Sequence, residues 1–286
     1  MPLDLAGRQA LIEDLPALRE ALQAEDLWAR KSLGQHFLLD LNLTRRIVRE
    51  AGLSQACHVV EVGPGPGGLT RALVEADVAS VTAIERDDRF AALNRSLADA
   101  SEGFLQVIEG DALNVDPVEA VPPPRAVVAN LPYNVGTPLL VGWLKQASAY
   151  ESLTLMFQKE VADRIAAAPG SKAYGRLSVL AQLCCDVRLV MTIPARAFTP
   201  PPKIDSAVVR LAPLEVGISG ALFDMVEKVT AAAFGQRRKM LRASLKPIAD
   251  QPVELLEGLG ITPTMRADAL APGEYRRLAE ALLQTA

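Results

Sequence analysis

Glu61-Val62-Gly63-Pro64-Gly65-Pro66-Gly67-Gly68 is the stretch on which the fold turns. Ahead of it runs a short β-rich segment, residues 58–62, and behind it a segment with helical spacing of apolar side chains, residues 68–76. The alternation continues, with β-rich runs at 80–84, 104–108, 126–130 and 152–157 and helical patterns at 87–98 and 138–146. Strands alternating with helices fold as a parallel sheet covered on both faces, because each crossover lays a helix against the sheet. Residues 59–62 and 126–128 are apolar at nearly every position, as strands covered on both sides must be. Pro122-Pro123-Pro124 marks a loop ahead of the fourth run. An α/β, Rossmann-like sheet is expected.

After Phe157 the pattern changes. Residues 183–193 and 207–211 read as strands, with Phe198-Thr199-Pro200-Pro201-Pro202 as a stiff connection. Beyond Pro213 the spacing predicts helices at 221–234, 237–249, 253–259 and 272–283, punctuated by Gly235 and Gly260. Three regions follow: an N-terminal extension over 1–30 with a short amphipathic helix at 15–22, a Rossmann-like domain over 31–212, and a smaller all-helical domain over 213–286.

Half of the 286 residues are hydrophobic, ample for a buried core. No apolar run reaches the ~18 residues that a membrane span needs; the oiliest, 177–194, is broken by Asp186 and Arg188. Asp4, Glu13 and Asp14 stand where a signal peptide needs a positive start, so a cytoplasmic protein is expected. The three cysteines, Cys57, Cys184 and Cys185, lack the paired spacing of a disulfide scaffold or a zinc site. With only His36 and His58 available, neither a histidine metal centre nor a Ser-His triad is expected. The net charge of −4 by itself argues against a nucleic-acid partner, but its distribution is uneven. Arg237, Arg238, Lys239, Arg242 and Lys246 lie together with no acid between them, and Arg30 with Lys31, and Arg45, Arg46 and Arg49, form two further groups. Such groups are either solvated helix faces or a phosphate-facing surface.

The glycine loop alone reads two ways. Gly63, Gly65 and Gly68 fit the G-x-G-x-x-G fingerprint, and Glu85 ends the second run where an acid can accept from ribose hydroxyls. Nicotinamide enzymes and S-adenosylmethionine enzymes share both features, since glycines let backbone approach a nucleoside and a helix N-terminus faces an anionic group. Pro64 and Pro66 remove two N–H donors from a loop that would otherwise surround a pyrophosphate. Glu61, Glu85 and Asp111, the last in Glu109-Gly110-Asp111-Ala112, would repel a pyrophosphate and suit a ligand bearing a sulfonium and an ammonium. Asp111 could accept from an adenine amine or simply cap a turn.

The fourth run ends in Asn130-Leu131-Pro132-Tyr133, at the carboxyl end of a strand, where open α/β sheets carry their chemistry. An exocyclic adenine amine is a poor nucleophile because its lone pair is delocalised into the ring. The Asn130 side-chain oxygen and the Leu131 carbonyl could hold its protons out of plane and localise that pair. Pro132 would fix the turn, and Tyr133 would offer a face on which a base stacks, worth roughly 1–3 kcal/mol. An Asx turn followed by proline would end the strand equally well.

These segments together bring a family into view. The chain resembles the ribosomal RNA adenine dimethyltransferases of the KsgA type from Lys31 to its C-terminus. The resemblance is carried by residues 31–38, the glycine loop, Ile84-Glu85-Arg86-Asp87, Asn130 to Tyr133, 158–162, 174–178, 198–206, Phe234-Gly235-Gln236-Arg237-Arg238-Lys239 and Arg266-Ala267-Asp268. It implies dimethylation of two neighbouring adenines in a hairpin loop near the 3′ end of small-subunit ribosomal RNA, within a pre-assembled immature particle and with S-adenosylmethionine as cofactor, without a metal. It implies cofactor contacts at His36, Leu38, Gly63, Glu85, Asp111 and Asn130, with Gly65 and Ala112 on the same segments. His36 departs from the family, many members of which have Asn there; either side chain can hydrogen-bond a carboxylate. The resemblance also implies that Phe198 caps the second face of the base, that Arg237, Arg238, Lys239, Arg242, Lys246 and Lys203 contact RNA, and a monomer. Three rivals stay open: a large-subunit adenine methyltransferase of the macrolide-resistance type, a non-catalytic assembly or transcription factor on the same fold, and a nicotinamide oxidoreductase.

Overall fold

A computed structural model describes residues 2–28 and 35–285. The pair Arg30 and Lys31, and residues 31–34 of the family segment, lie outside the described residues. Nine strands are present among the described residues: β1 (Phe37–Leu38), β2 (His58–Val62), β3 (Ser80–Glu85), β4 (Leu105–Glu109), β5 (Arg125–Asn130), β6 (Ser152–Gln158), β7 (Cys185–Ile193), β8 (Phe198–Thr199) and β9 (Ser206–Pro213). Seven make one sheet in the order β4-β3-β2-β5-β6-β9-β7, and β1 pairs with β8 separately. The strands from β2 to β6 run parallel to one another, with His58 in register with Ser80 on one side and Arg125 on the other. The Rossmann-like expectation holds.

The order explains where a ligand can sit. The chain winds outward from β2 through β3 to β4, returns to β5 on the other side of β2, and continues to β6. Neighbouring crossovers therefore leave the carboxyl ends of β2 and β5 in opposite directions, which opens a crevice there. Beneath it Val59, Val60, Val81, Ala83, Val127, Val128, Leu153 and Leu155 are all buried.

The chain divides into two compact units, Met1–Leu140 with Ala149–Lys159 and Leu189–Arg210, and Val141–Ser148 with Glu160–Arg188 and Leu211–Ala286. In the first, the single helix expected at 15–22 is replaced by two, Leu5–Asp14 and Leu18–Ala24. Pro16 lies between them, and the residue before a proline avoids helical backbone; Leu15 is accordingly extended. Asp4 caps the first helix by accepting from Gly7 N. Arg8 reaches from that helix to the carbonyls of Val74 (2.8 Å) and Ala76 (3.0 Å), at the far end of the helix that the glycine loop opens. Its guanidinium lies 3.7 Å from the centre of the Phe104 ring.

In the second unit, helices Arg176–Cys184, Gly220–Gly235 and Pro272–Gln284 enclose an aromatic core. The Phe234 ring stacks on Tyr275 at 5.7 Å and meets the edge of Tyr174 at 6.0 Å. The helix expected over 237–249 is a correction: only Leu241–Ser244 is helical. Pro247 has no N–H to continue such a helix and its ring obstructs the preceding turn. The segment ahead of it pairs sideways instead, Met240 bridging Arg266 and Leu241 N donating to the Met265 carbonyl at 2.8 Å. Residues 183 and 184, expected to begin a strand, end the helix Arg176–Cys184. No described helix is long and apolar enough to cross a membrane.

Candidate active site

A cavity of about 500 Å³ occupies the crevice at the ends of β2, β3 and β5. Its lining includes His36, Leu38, Glu61, Gly63, Gly65, Glu85, Asp111, Ala112, Asn130, Leu131, Pro132 and Tyr133. The residues expected at a cofactor and a reaction centre are thus brought together, Phe198 excepted.

The glycine loop is shaped by close approach. A Cβ built on Gly68 would lie 2.1 Å from the Leu38 carbonyl oxygen, so only hydrogen lets β1 cross the start of the helix. Gly65 has φ 51°, a left-handed conformation that side chains rarely adopt, and a Cβ there would meet the Phe37 ring at 3.2 Å. Asn94, buried on the following helix Asp88–Ala100, donates from Nδ2 to the Gly65 carbonyl at 2.8 Å. Sequence reading misses Asn94; its only signal is a polar residue on the apolar face of a helix.

Glu85 is held by the backbone. Its Oε2 accepts from Gly65 N at 3.0 Å, and its Oε1 from Arg86 N and Asp87 N at 2.8 Å each. Burial raises its pKa and these three donors work against that rise. Asp87, bonded to Arg89, has its pKa lowered chiefly by that hydrogen bond. Glu61 is 1% exposed and its Oε2 has no hydrogen-bond partner. Burial pushes its pKa up to about 8. Asp111 caps the turn by accepting from Leu113 N at 3.0 Å, lines the cavity, and pairs with Arg86 at 3.2 Å.

On the opposite side Asn130 donates from Nδ2 to the His36 carbonyl at 3.3 Å, which turns the Oδ1 acceptor the other way. The Tyr133 hydroxyl is tied to Ser206 Oγ at 2.8 Å, fixing the ring; Ser206 is a second partner that sequence reading misses. The His36 ring lies 5.7 Å from that of Tyr133. His36 Nδ1 is 2.8 Å from the Pro200 carbonyl, which can only accept, so Nδ1 carries the proton. In the neutral ring Nε2 is then an acceptor and offers a carboxylate no hydrogen bond.

Phe198 stands elsewhere. Leu38 and Phe198 are register partners of β1 and β8, and Phe198 is 3% exposed in the core cluster with Met191, Ile193 and Val208. It is a core residue and does not line the cavity, because pairing of β8 with β1 turns its ring inward. Phe198→Ala is expected to lower stability by about 3–5 kcal/mol, read as a lower urea midpoint at unchanged slope. A variant as stable as the wild type would contradict the core placement.

Among the expected RNA contacts, Arg237 is engaged internally: it donates to the Lys172 carbonyl at 2.9 Å and lies 3.7 Å from Asp268. Arg238, Lys239, Arg242 and Lys246 are exposed, as is Lys203 in the first unit. Arg45 is spent on a two-pronged pair with Glu75.

The cavity's donor set fits S-adenosylmethionine. An orphaned buried carboxylate oxygen, four further carboxylates (Glu85, Asp87, Asp88 and Asp111) and a loop with two N–H groups replaced by prolines suit a cationic nucleoside and repel a pyrophosphate. Comparison with known proteins agrees. Residues 27–284 match the family model described as ribosomal RNA adenine dimethylase. A relative named ribosomal RNA small subunit methyltransferase A from Phenylobacterium zucineum is 55% identical over 273 residues, covering 95% of this chain and 94% of that one. A dimethyladenosine transferase structure from Plasmodium falciparum superposes with a TM-score of 0.76 at 26% identity, covering 87% of this chain and 98% of that one. The 23S rRNA methyltransferase ErmE superposes at 0.65 with 30% identity, covering 87% of this chain and all of that one (100%).

Proposed function

The chain belongs to the ribosomal RNA adenine dimethylase family, and from that premise we propose how it works. It is an S-adenosylmethionine-dependent enzyme that dimethylates adenine N6 in small-subunit ribosomal RNA. The observation that carries this reading is Asn130: its Nδ2 is committed to the His36 carbonyl, so its Oδ1 is presented as an acceptor at the end of β5, beside the cavity. When bound, the cofactor supplies a methyl group made electrophilic by a sulfonium. Glu85 would hold the ribose, the glycine loop would pass close beneath the nucleoside, and Asp111 with Ala112 would border the adenine.

The target adenine has to leave its stack, at a cost of a few kcal/mol, less where it already lies in a loop. Tyr133, anchored by Ser206, supplies the face on which it rests. Asn130 Oδ1 and the Leu131 carbonyl accept from the amine, localising its lone pair toward the methyl donor. No dedicated base is needed before attack, since the product ammonium loses its proton readily. The residues contribute chiefly by position.

Within this reading the substrate is two neighbouring adenines of a hairpin loop near the 3′ end, in an immature 30S particle, and the enzyme acts as a cytoplasmic monomer. Residues 31–212 carry the chemistry and 213–286 the RNA-contacting surface. The 55% identity to a small-subunit enzyme, against 30% to a large-subunit one, favours the small-subunit target. Arg238, Lys239, Arg242 and Lys246 are the exposed cations to test. Reversing their charges should weaken RNA binding and flatten its salt dependence by about 0.7–0.9 log units of slope per lost contact. An unchanged slope would place the RNA surface elsewhere.

A further inference from the structure

Residues 1–26 precede the segment that matches the family model, and none of residues 2–28 lines the cavity. They nevertheless lie against the helix that the glycine loop opens, from one end of it to the other. That helix, Gly68–Val74, is only seven residues long. A helix so short does not hold itself in water, so what it packs against sets its position. Just past its far end Arg8, 6% exposed, donates to the Val74 and Ala76 carbonyls, groups that need donors from outside the helix. In its middle Arg71 donates to the Pro16 carbonyl at 2.7 Å, between the two N-terminal helices. At its start Leu18 comes within 3.4 Å of the place a Cβ on Gly68 would take. Leu22, one turn on, is buried in a cluster with Phe37 and Phe90, and Phe37 is the ring that a Cβ on Gly65 would meet.

We propose that the N-terminal extension is a positioning segment of the cofactor site: Arg8, Leu18 and Leu22 hold the helix Gly68–Val74, and through it the glycine loop, in the shape that receives S-adenosylmethionine. The proposal rests on the cofactor reading above. Gly63 and Gly67 join Gly65 in left-handed backbone, with φ 68° and 88°, and glycine loses more freedom on ordering than any other residue. A loop so composed binds well only if its shape is fixed before the ligand arrives. Asn94 secures the Gly65 carbonyl from the following helix, and the extension secures the helix into which the loop runs. Leu18 and Leu22 act where the loop begins its helix, and Arg8 stops that helix from sliding at its other end. The coupling is reciprocal: a segment that favours the bound shape of the loop is itself held more firmly once the cofactor is bound.

Cofactor titrations and steady-state kinetics of the full chain test this. Leu22→Ala is expected to weaken S-adenosylhomocysteine binding about tenfold and to raise KM for S-adenosylmethionine alike, with kcat at saturating cofactor within about twofold of wild type. Leu22→Met, which refills the space, should restore affinity. Leu153→Ala opens a buried cavity of the same kind in β6, away from the cofactor cavity, and should leave affinity unchanged. Unchanged affinity in a folded Leu22→Ala variant, or an equal loss in Leu153→Ala, would overturn the proposal. Hydrogen exchange of the wild type gives a second readout that needs no variant. S-adenosylhomocysteine should slow amide exchange in the helices Leu5–Asp14 and Leu18–Ala24 by a similar factor, about tenfold, although neither helix lines the cavity. Exchange there that is indifferent to the ligand would overturn the proposal. A wild-type protein that binds neither S-adenosylmethionine nor S-adenosylhomocysteine would overturn the cofactor reading itself.

Discussion

Asn130→Ala should reduce methyl transfer by at least about 10²–10³-fold, the scale seen when one preorganised polar contact to a reacting group is removed. The reason is geometric. Asn130 ends β5 where the strand order reverses, and its Nδ2 is held by the His36 carbonyl at 3.3 Å, so Oδ1 can accept without reorganising. Alanine removes the acceptor and leaves the amine's lone pair in the ring. It also removes the tie to His36, so the variant must be shown to be folded. A melting temperature within a few degrees of wild type and intact S-adenosylmethionine binding would isolate the chemical step. Near-normal turnover would refute the role given to Asn130.

Gly68→Ala is expected to be the most damaging single methyl group in the first unit. Its Cβ would sit 2.1 Å from the Leu38 carbonyl oxygen, a backbone atom that cannot swing away as a side chain can. Either β1 lifts from the loop or the helix Gly68–Val74 shifts, and both movements open the cavity floor. Overpacking of this kind costs about 1–3 kcal/mol, occasionally more. Cofactor affinity should fall at least tenfold, since a misplacement worth about 1.4 kcal/mol is enough. Gly142→Ala is the control: it lies in the helix Gly136–Lys145 with nothing within 4 Å of its Cβ, and alanine there should be neutral or stabilising by up to ~1 kcal/mol. If both substitutions behave alike in thermal melts and cofactor titrations, the close approach of β1 does not shape the site.

What could be read from the sequence was what local pattern dictates. The run of buried residues in β2 and β5, the glycines at the turn and the Asn-Leu-Pro-Tyr ending are set by neighbours in the chain, and the sheet order then brings Glu85, Glu61 and Asn130 to one crevice. What escaped reading depends on partners distant in sequence. Asn94 supports Gly65 from 29 residues away, and Ser206 anchors Tyr133 from 73. Phe198 was legible as an aromatic beside a stiff proline run but not as the partner of Leu38 on a two-stranded ribbon, which puts it in the core. Arg237 sits in an acid-free basic run, but its guanidinium donates to the Lys172 carbonyl, 65 residues away in the chain. The end of the helix at Ser244 is local by contrast, since Pro247 bars helix from continuing to 249.

The most direct test is to incubate the protein with labelled S-adenosylmethionine and, in parallel, immature small subunits, naked small-subunit RNA and naked large-subunit RNA, then digest the RNA to nucleosides and separate them. The account predicts label in N6,N6-dimethyladenosine, two residues per particle, from the immature small subunits. Label confined to large-subunit RNA, label on another nucleoside, or no transfer by a protein that binds the cofactor would contradict it.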